Sequence, residues 1–299
     1  MILIDPPRWP AHGTLFSHLV SDASLTELHL FARRTGLSPR AFDHDHYDVP
    51  AERHAGLVAA GALDVDSREL VRRLVAGGLR VRPREKGPGR AAALASARRH
   101  WDANPPAPTA VRDELLRRWR EPHRHYHDVR HLAHFLHALD VLGAAERVAV
   151  LAAWCHDAVH TGAAGDDEHA SAELAATLLG DHLPATEMAE IQRLVLLTID
   201  HDPDADDHLG AAFVDADLAV LALPPARYHV YSRDVRLEYA DAPEPAFVTG
   251  RMAVLEHLLG RAPLYRTRAA QAWTAAAHAN LEAELNHLRA HGVPLVASG

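Results

Sequence analysis

Residues 148–155 read VAVLAAWC, a run with no polar side chain in any direction. A helix that is apolar all round has no face to offer water, so it belongs at the centre of a bundle with other helices packed around it. It is also well short of the ~20 apolar residues that a membrane-spanning helix needs. The run ends directly in His156-Asp157. A buried carboxylate costs several kcal/mol unless it is paired or bound to a cation. His156 and Asp157 at the end of a core helix are therefore expected to be metal ligands, with Cys155 before them a small core residue.

The surrounding sequence supplies such a bundle. From Pro108 onward, helical apolar spacing recurs over 109–120, 126–142, 146–160, 167–179, 185–200, 226–240, 246–259 and 266–290. Upstream the pattern is mixed. Residues 1–4, 62–65 and 79–81 read as short strands; 24–36, 51–61 and 67–77 read as helices, the first with Ser24 as its cap and Gly36 as its stop. The segment PREKGPGR, 83–90, punctuates the chain. The expected fold is α+β multidomain and mostly α, with a small α/β domain over 1–84, a linker over 85–107 and an all-α helical bundle over 108–292.

Composition narrows the functional classes. The chain has 299 residues, 48% hydrophobic and 24% charged, as a folded globular protein should. Cys155 is the only cysteine, so no disulfide forms within the chain. The opening MILIDPPRWP lacks the basic and apolar stretches of a signal peptide, and the cytoplasm is the expected compartment. Residues 1–90 carry 13 basic and 11 acidic side chains, residues 91–299 carry 18 and 29. So acidic a larger part argues against binding nucleic acid by phosphate neutralisation. The sole lysine, Lys86, sits among prolines and glycines, an unsuitable setting for Schiff-base chemistry. There is no Walker A loop, no strand–GxGxxG–helix unit, no HExxH and no GxSxG.

Histidine is over-represented, 24 of 299, and six fall within 123–137: His123, His125, His127, His131, His134 and His137. On a helix over 126–142, His127, His131 and His134 would span about 60° of one face. Leu132, Phe135, Leu136 and Leu139 form the neighbouring apolar arc, which puts the histidines at the edge of the interior. Further on, FVDADLAVLAL (213–223) embeds Asp215 and Asp217 in apolar sequence, where Asp215 could cap a helix with Asp217 in its first turn, or one of the two could bind a metal. The ordered set is His, then His-Asp, then Asp. Imidazole with carboxylate suits Mn, Fe, Zn, Co or Ni. Two protein carboxylates with open positions favour Lewis-acid hydrolysis.

This order resembles the HD superfamily of metal-dependent phosphohydrolases, a helical-bundle family, over residues 116–265. The spacing is similar to the cyclic-nucleotide phosphodiesterase branch: Tyr126-His127-Asp128-Val129-Arg130-His131 matches Y-H-x-x-x-H, and His156-Asp157-Ala158-Val159-His160 matches H-D-x-x-H. The resemblance implies that His131, His156, Asp157 and Asp217 hold a metal and that His127 is the general acid. Asp217 fits the family's A-D-[LK] better than Asp215, which is left as a supporting residue. His160 and Glu168 resemble positions that hold a second metal or the bridging water, and His201 is a further second-metal candidate. Glu121-Pro122-His123-Arg124 resembles an E-P-x-R-x-Y-H stretch of a bacterial HD subfamily and makes Arg124 the expected ligand of substrate phosphate. Arg236, Glu238 and Tyr239 also match it, although Arg236 and Glu238 read better as an ordinary solvated charge pair. The chain lacks the phosphodiesterases' glutamine-and-aromatic purine clamp.

The implied activity is a metal-dependent phosphohydrolase, with one or two divalent transition-metal ions and a small phosphorylated substrate of nucleotide type. A homo-oligomer is compatible with the sequence, and no membrane or strong nucleic-acid partner is expected. The alternatives are an HD-type di-iron oxygenase, which His160, Glu168 and His201 would complete, and a catalytically silent nucleotide-binding module. Residues 1–84 resemble a different bacterial family, domain of unknown function 4031, in ILIDPPRWP, SHLVSD and FDHDHYDVP. There Asp43 and Asp45 would face one way along an extended segment, His44 and His46 the other. With Asp5, His12 and His18 these residues could form a small polar or metal site.

Overall fold

The computed structural model describes residues 1–83, 86–103, 107–163 and 165–294. Its contacts divide the chain into two compact units. The first comprises Met1–Gly87, Pro224–Glu256 and the chain from Glu282 onward; the second comprises Pro88–Leu223 and His257–Leu281.

The first unit is built on a six-stranded sheet: β1 (Ile2–Ile4), β2 (Trp9–Ala11), β3 (Thr14–Ser21), β4 (Phe42–Asp43), β5 (His46–Pro50) and β6 (Leu63–Asp64). The order is β4-β5-β3-β1-β6, with β2 also paired to β3. All pairings are antiparallel except β1 with β6. Two-residue turns link β2 to β3 and β4 to β5. His12 and Gly13 hold φ of 47° and 78°, and His44 holds 62°, the left-handed backbone that such hairpins require. Asp43–His46 is therefore a tight hairpin and not the extended segment expected from sequence.

Side chains alternate across this sheet. Ile2, Ile4, Leu19, Tyr47 and Val49 pack on one face with α1 (Leu25–Arg34) and α2 (Ala51–Ala59). Leu3 and Val20 pack on the other with Leu70 and Leu74 of α3 (Ser67–Ala76). Ser24 caps α1 by accepting from Glu27 N, as expected. No strand forms at 79–81.

The second unit contains α4 (Arg90–Ala103), α5 (Thr109–Arg118), α6 (Val129–Leu142), α7 (Arg147–Cys155), α8 (Asp166–Leu179), α9 (Ala185–Leu196) and α10 (His208–Asp217), the last running into a 3-10 turn, Leu218–Ala222. As the apolar run required, α7 is the core helix: Ala149 and every residue from Leu151 to Cys155 are fully buried. The expected linker contains α4, whose Ala93, Ala97 and Trp101 join the same core. Trp101 meets Trp154 edge-on, ring centres 5.0 Å apart. No single helix among the described residues is long and apolar enough to cross a membrane.

Later helices return to the first unit, so its bounds differ from the expected 1–84. Ala226 and Val230 of α11 (Pro225–Glu238) pack on the cluster of Ile4, Leu28 and Phe31. In α12 (Glu244–Gly260), Glu244 pairs with Arg33 at 2.5 and 2.6 Å, and Arg251 forms a buried bidentate pair, 2.9 Å on each branch, with Glu284 of α13 (Thr274–His291). Tyr228 and Ser232 donate to the same carboxylate. Helical periodicity shows that a helix has an apolar face but not which core it joins.

In this unit His29 lies 2.9 Å from the Tyr47 hydroxyl and 3.1 Å from Nδ1 of His229. Burial keeps both rings neutral, pressing His229 down to about 4 and His29 well below its ordinary value. An unfolded histidine takes its proton near 6.5, so between that pH and the folded value the unfolded chain binds more protons. Acidification from pH 6.5 to 4 should therefore destabilise the fold, by about 3 kcal/mol for His229 alone. Urea unfolding across this range should show the loss, and a His229→Leu variant should show a shallower one.

Candidate metal centre

Three helix ends bring the bundle's chemistry together. Asp128 caps α6 by accepting from Arg130 N at 2.7 Å, which places His131 in the first turn. Helix α7 stops at Cys155, leaving His156 and Asp157 at its C-terminal end. Asp217 is the last residue of α10. Two expectations change. His127 precedes α6, so it does not share a helical face with His131. Asp215 and Asp217 lie in the last turn of α10, whose cap is Asp207, and not in the first.

His131 Nε2 lies 3.1 Å from His156 Nε2, 3.2 Å from Asp217 Oδ1 and 3.6 Å from Asp157 Oδ2. His156 Nε2 lies 3.0 Å from Asp157 Oδ2 and 3.8 Å from Asp217 Oδ1. Donors about 2.1 Å from a shared ion sit ~3.0 to 3.4 Å apart, on octahedral and tetrahedral edges respectively. The far nitrogens are already engaged. His156 Nδ1 donates to Ala153 O at 2.8 Å, and His131 Nδ1 is 3.1 Å from the Tyr126 hydroxyl. Fixing one ring nitrogen aims the other, the usual support of a metal-binding histidine. These donors fit a divalent transition ion.

Both imidazoles are buried against Trp119, and Phe135 and Phe213 back His156. Burial alone would lower His156, but the Asp157 and Asp217 carboxylates outweigh it and push the ring up to about 9. Burial would raise Asp157, yet the charges of His156, His127 and His131 hold it below the usual carboxylate range. Asp217 is held well below that range by His131, His201 and His156, again against its burial. The pocket favours positive charge.

Of the other expected residues, His201 joins the cluster, its Nε2 2.8 Å from Asp217 Oδ2. It does so from a left-handed backbone, φ 55°. His127 and His160 lie against each other, ring centres 4.2 Å apart, and His127 is 5.7 Å from His131. His160 is beyond the end of α7, so its position beside His127 owes nothing to helical spacing.

Arg124 does not offer its guanidinium to a phosphate. It is almost wholly buried and donates to His127 O (3.1 Å), Asp157 O (2.7 Å), Ala158 O (3.1 Å) and Glu121 (3.1 Å). It thereby ties the segment before α6 to the segment after α7. Glu168, expected at the reaction centre, instead accepts from Gly165 N at 2.6 Å and closes the start of α8. Asp215 accepts from the backbone N–H groups of Arg266 and Thr267, both at 2.7 Å, which leaves Asp217 to the cluster. In the first unit, Arg236 is no solvated charge: it is buried, lies over Phe247 and donates to Tyr239 O and Ala242 O. Tyr126 stands in the Y-H-x-x-x-H motif, and its hydroxyl beside His131 Nδ1 gives it an orienting role that the motif alone does not imply.

Residues 2–77 match the family described as protein of unknown function (DUF4031). The match supports the N-terminal resemblance. No curated protein and no solved structure matches the chain.

Removing the Arg124 guanidinium leaves three carbonyls and a carboxylate without their donor. Arg124→Ala should cost about 3 kcal/mol of stability, read as a lower urea midpoint. A phosphate-binding role would instead raise KM and leave stability unchanged.

Proposed function

We propose that the bundle is a metal-dependent phosphohydrolase of HD type. The observation that carries this reading is the convergence of His131, His156, Asp157 and Asp217 from three helix ends: the two imidazole Nε2 atoms lie 3.1 Å apart, and each lies 3.0–3.8 Å from both carboxylates. The resemblance of the Y-H-x-x-x-H and H-D-x-x-H motifs supports the reaction class, with a nucleotide-like phosphoester as the substrate type.

These four residues would hold the ion. When bound, a divalent ion supplies a Lewis acid that lowers the pKa of a coordinated water and polarises a phosphoryl oxygen. Trp119 and Phe135 keep water away from the buried sides of the imidazoles. Tyr126 and Ala153 O fix the two rings in orientation. His127, which is not one of the four, would carry the proton to the leaving oxygen as general acid. Arg124 positions His127 and Asp157 through their carbonyls.

A two-ion variant has its own support. Asp217 turns Oδ1 toward His131 and Oδ2 toward His201, as a carboxylate shared between two ions would. Such a centre suits hydrolysis and equally a di-iron oxygenase. Hydrolysis with Mn under anaerobic conditions would favour the first; iron-bound, oxygen-dependent turnover would favour the second. Tight nucleotide binding with no turnover under any metal would mark a binding module.

A panel of phosphoesters assayed with Mn, Fe, Co or Zn tests the proposal. Asp157→Ala should abolish hydrolysis and lose at least one equivalent of bound metal. His127→Ala should keep the metal and lose about 10²- to 10⁴-fold in rate. Unchanged hydrolysis by the Asp157 variant would refute the proposal.

A further inference from the structure

We propose that the sheet of the first unit carries a separate metal site, in which His18, His46 and Asp48 bind a divalent transition-metal ion.

Strand register puts the three side chains together. His18 on β3 is the direct cross-strand partner of Asp48 on β5. His46 precedes Asp48 by two residues on the same strand and so shares its face. One donor atom from each of the three lies within 4.8 Å of the others. Asp48 Oδ1 is 3.5 Å from His46 Nε2 and 4.0 Å from His18 Nε2, distances too long for hydrogen bonds.

The far side of each imidazole carries the stronger argument. His18 Nδ1 faces Asp5 Oδ2 at 3.4 Å, and His46 Nδ1 faces Asp45 Oδ1 at 2.6 Å. Both carboxylates have no solvent exposure. Each is fixed by other donors: Asp5 by His18 N, Ser67 Oγ and Trp9 Nε1, and Asp45 by Val81 N and Arg80 Nη1. A buried carboxylate on Nδ1 holds the ring in one tautomer and makes Nε2 a better ligand. Here the arrangement occurs twice, and both Nε2 atoms are left toward Asp48. Two imidazoles, each backed by a fully buried carboxylate and each turning Nε2 toward Asp48, are the arrangement of a pair of metal-binding histidines.

Two imidazoles and one carboxylate leave coordination positions for water or a ligand, and Asp48, with its side chain 47% exposed, opens that side to solvent. The site is thus of the open kind, suited to Zn, Fe(II) or Co(II). The other residues considered in the sequence do not join it: His44 pairs with Asp43 at 2.7 Å, and His12 sits in the β2–β3 turn against Phe16.

Cobalt(II) titration of the chelator-stripped full-length chain tests the site, read by visible absorption and metal stoichiometry. An Asp157→Ala background removes a bundle ligand, so a failure of the phosphohydrolase reading is scored separately. The Asp157→Ala protein should still take up one equivalent of cobalt. Adding His18→Gln or Asp48→Asn should weaken that uptake at least tenfold, with circular dichroism unchanged. Asp5→Asn, which keeps all three ligands and changes the group behind His18, should weaken it about 10- to 100-fold, with circular dichroism again unchanged. The proposal fails if the Asp157→Ala protein binds no cobalt, or if its uptake is indifferent to the His18 and Asp48 substitutions.

Discussion

The bundle is organised around two ring nitrogens that face each other. His131 and His156 bring their Nε2 atoms to 3.1 Å. Each ring is held from behind, His156 by a helix carbonyl and His131 by a tyrosine hydroxyl. Neither can swing away without losing that contact, and each faces both Asp157 and Asp217. Holding these donors in place requires a stiff frame. The buried α7, the aromatic wall of Trp119, Phe135 and Phe213, and the Arg124 strap supply it.

What was legible in the sequence follows from how local each signal is. VAVLAAWC located the core helix because an all-round apolar run admits one environment, and His156-Asp157 inherited its position from that helix. The A-D-[LK] resemblance separates Asp217 from Asp215, but the physical cause is not local: Arg266 and Thr267, distant in sequence, occupy the Asp215 carboxylate. The charge of Arg124 suggests a phosphate ligand, yet its role is set by the carbonyls of residues 127, 157 and 158, which no side-chain pattern reports. The strands β2 to β5 are hard to read from sequence because β2, β4 and β5 span only three, two and five residues, too short for a period to stand out, and Ser17 and His18 break the apolar run of TLFSHLVS. His18 is also a residue of the proposed sheet site, where local rules are expected to fail.

The two proposed centres reach a similar end by different means. In the bundle, a helix carbonyl and a tyrosine hydroxyl orient the imidazoles, and the ligating carboxylates come from helix ends. On the sheet, strand register sets the spacing, and buried carboxylates take over the orientation. Helix ends gather donors from distant sequence, whereas cross-strand pairing gathers them from within about thirty residues, His18 to Asp48.

The first unit is discontinuous, and this bears on how it is made. A ribosome delivers the sheet strands early, but Ala226, Val230 and the Arg251–Glu284 pair emerge only after the whole stretch from Pro88 to Leu223. At ordinary elongation rates that stretch takes roughly ten seconds or more. The sheet strands are therefore translated before the bundle, and their packing is completed after it.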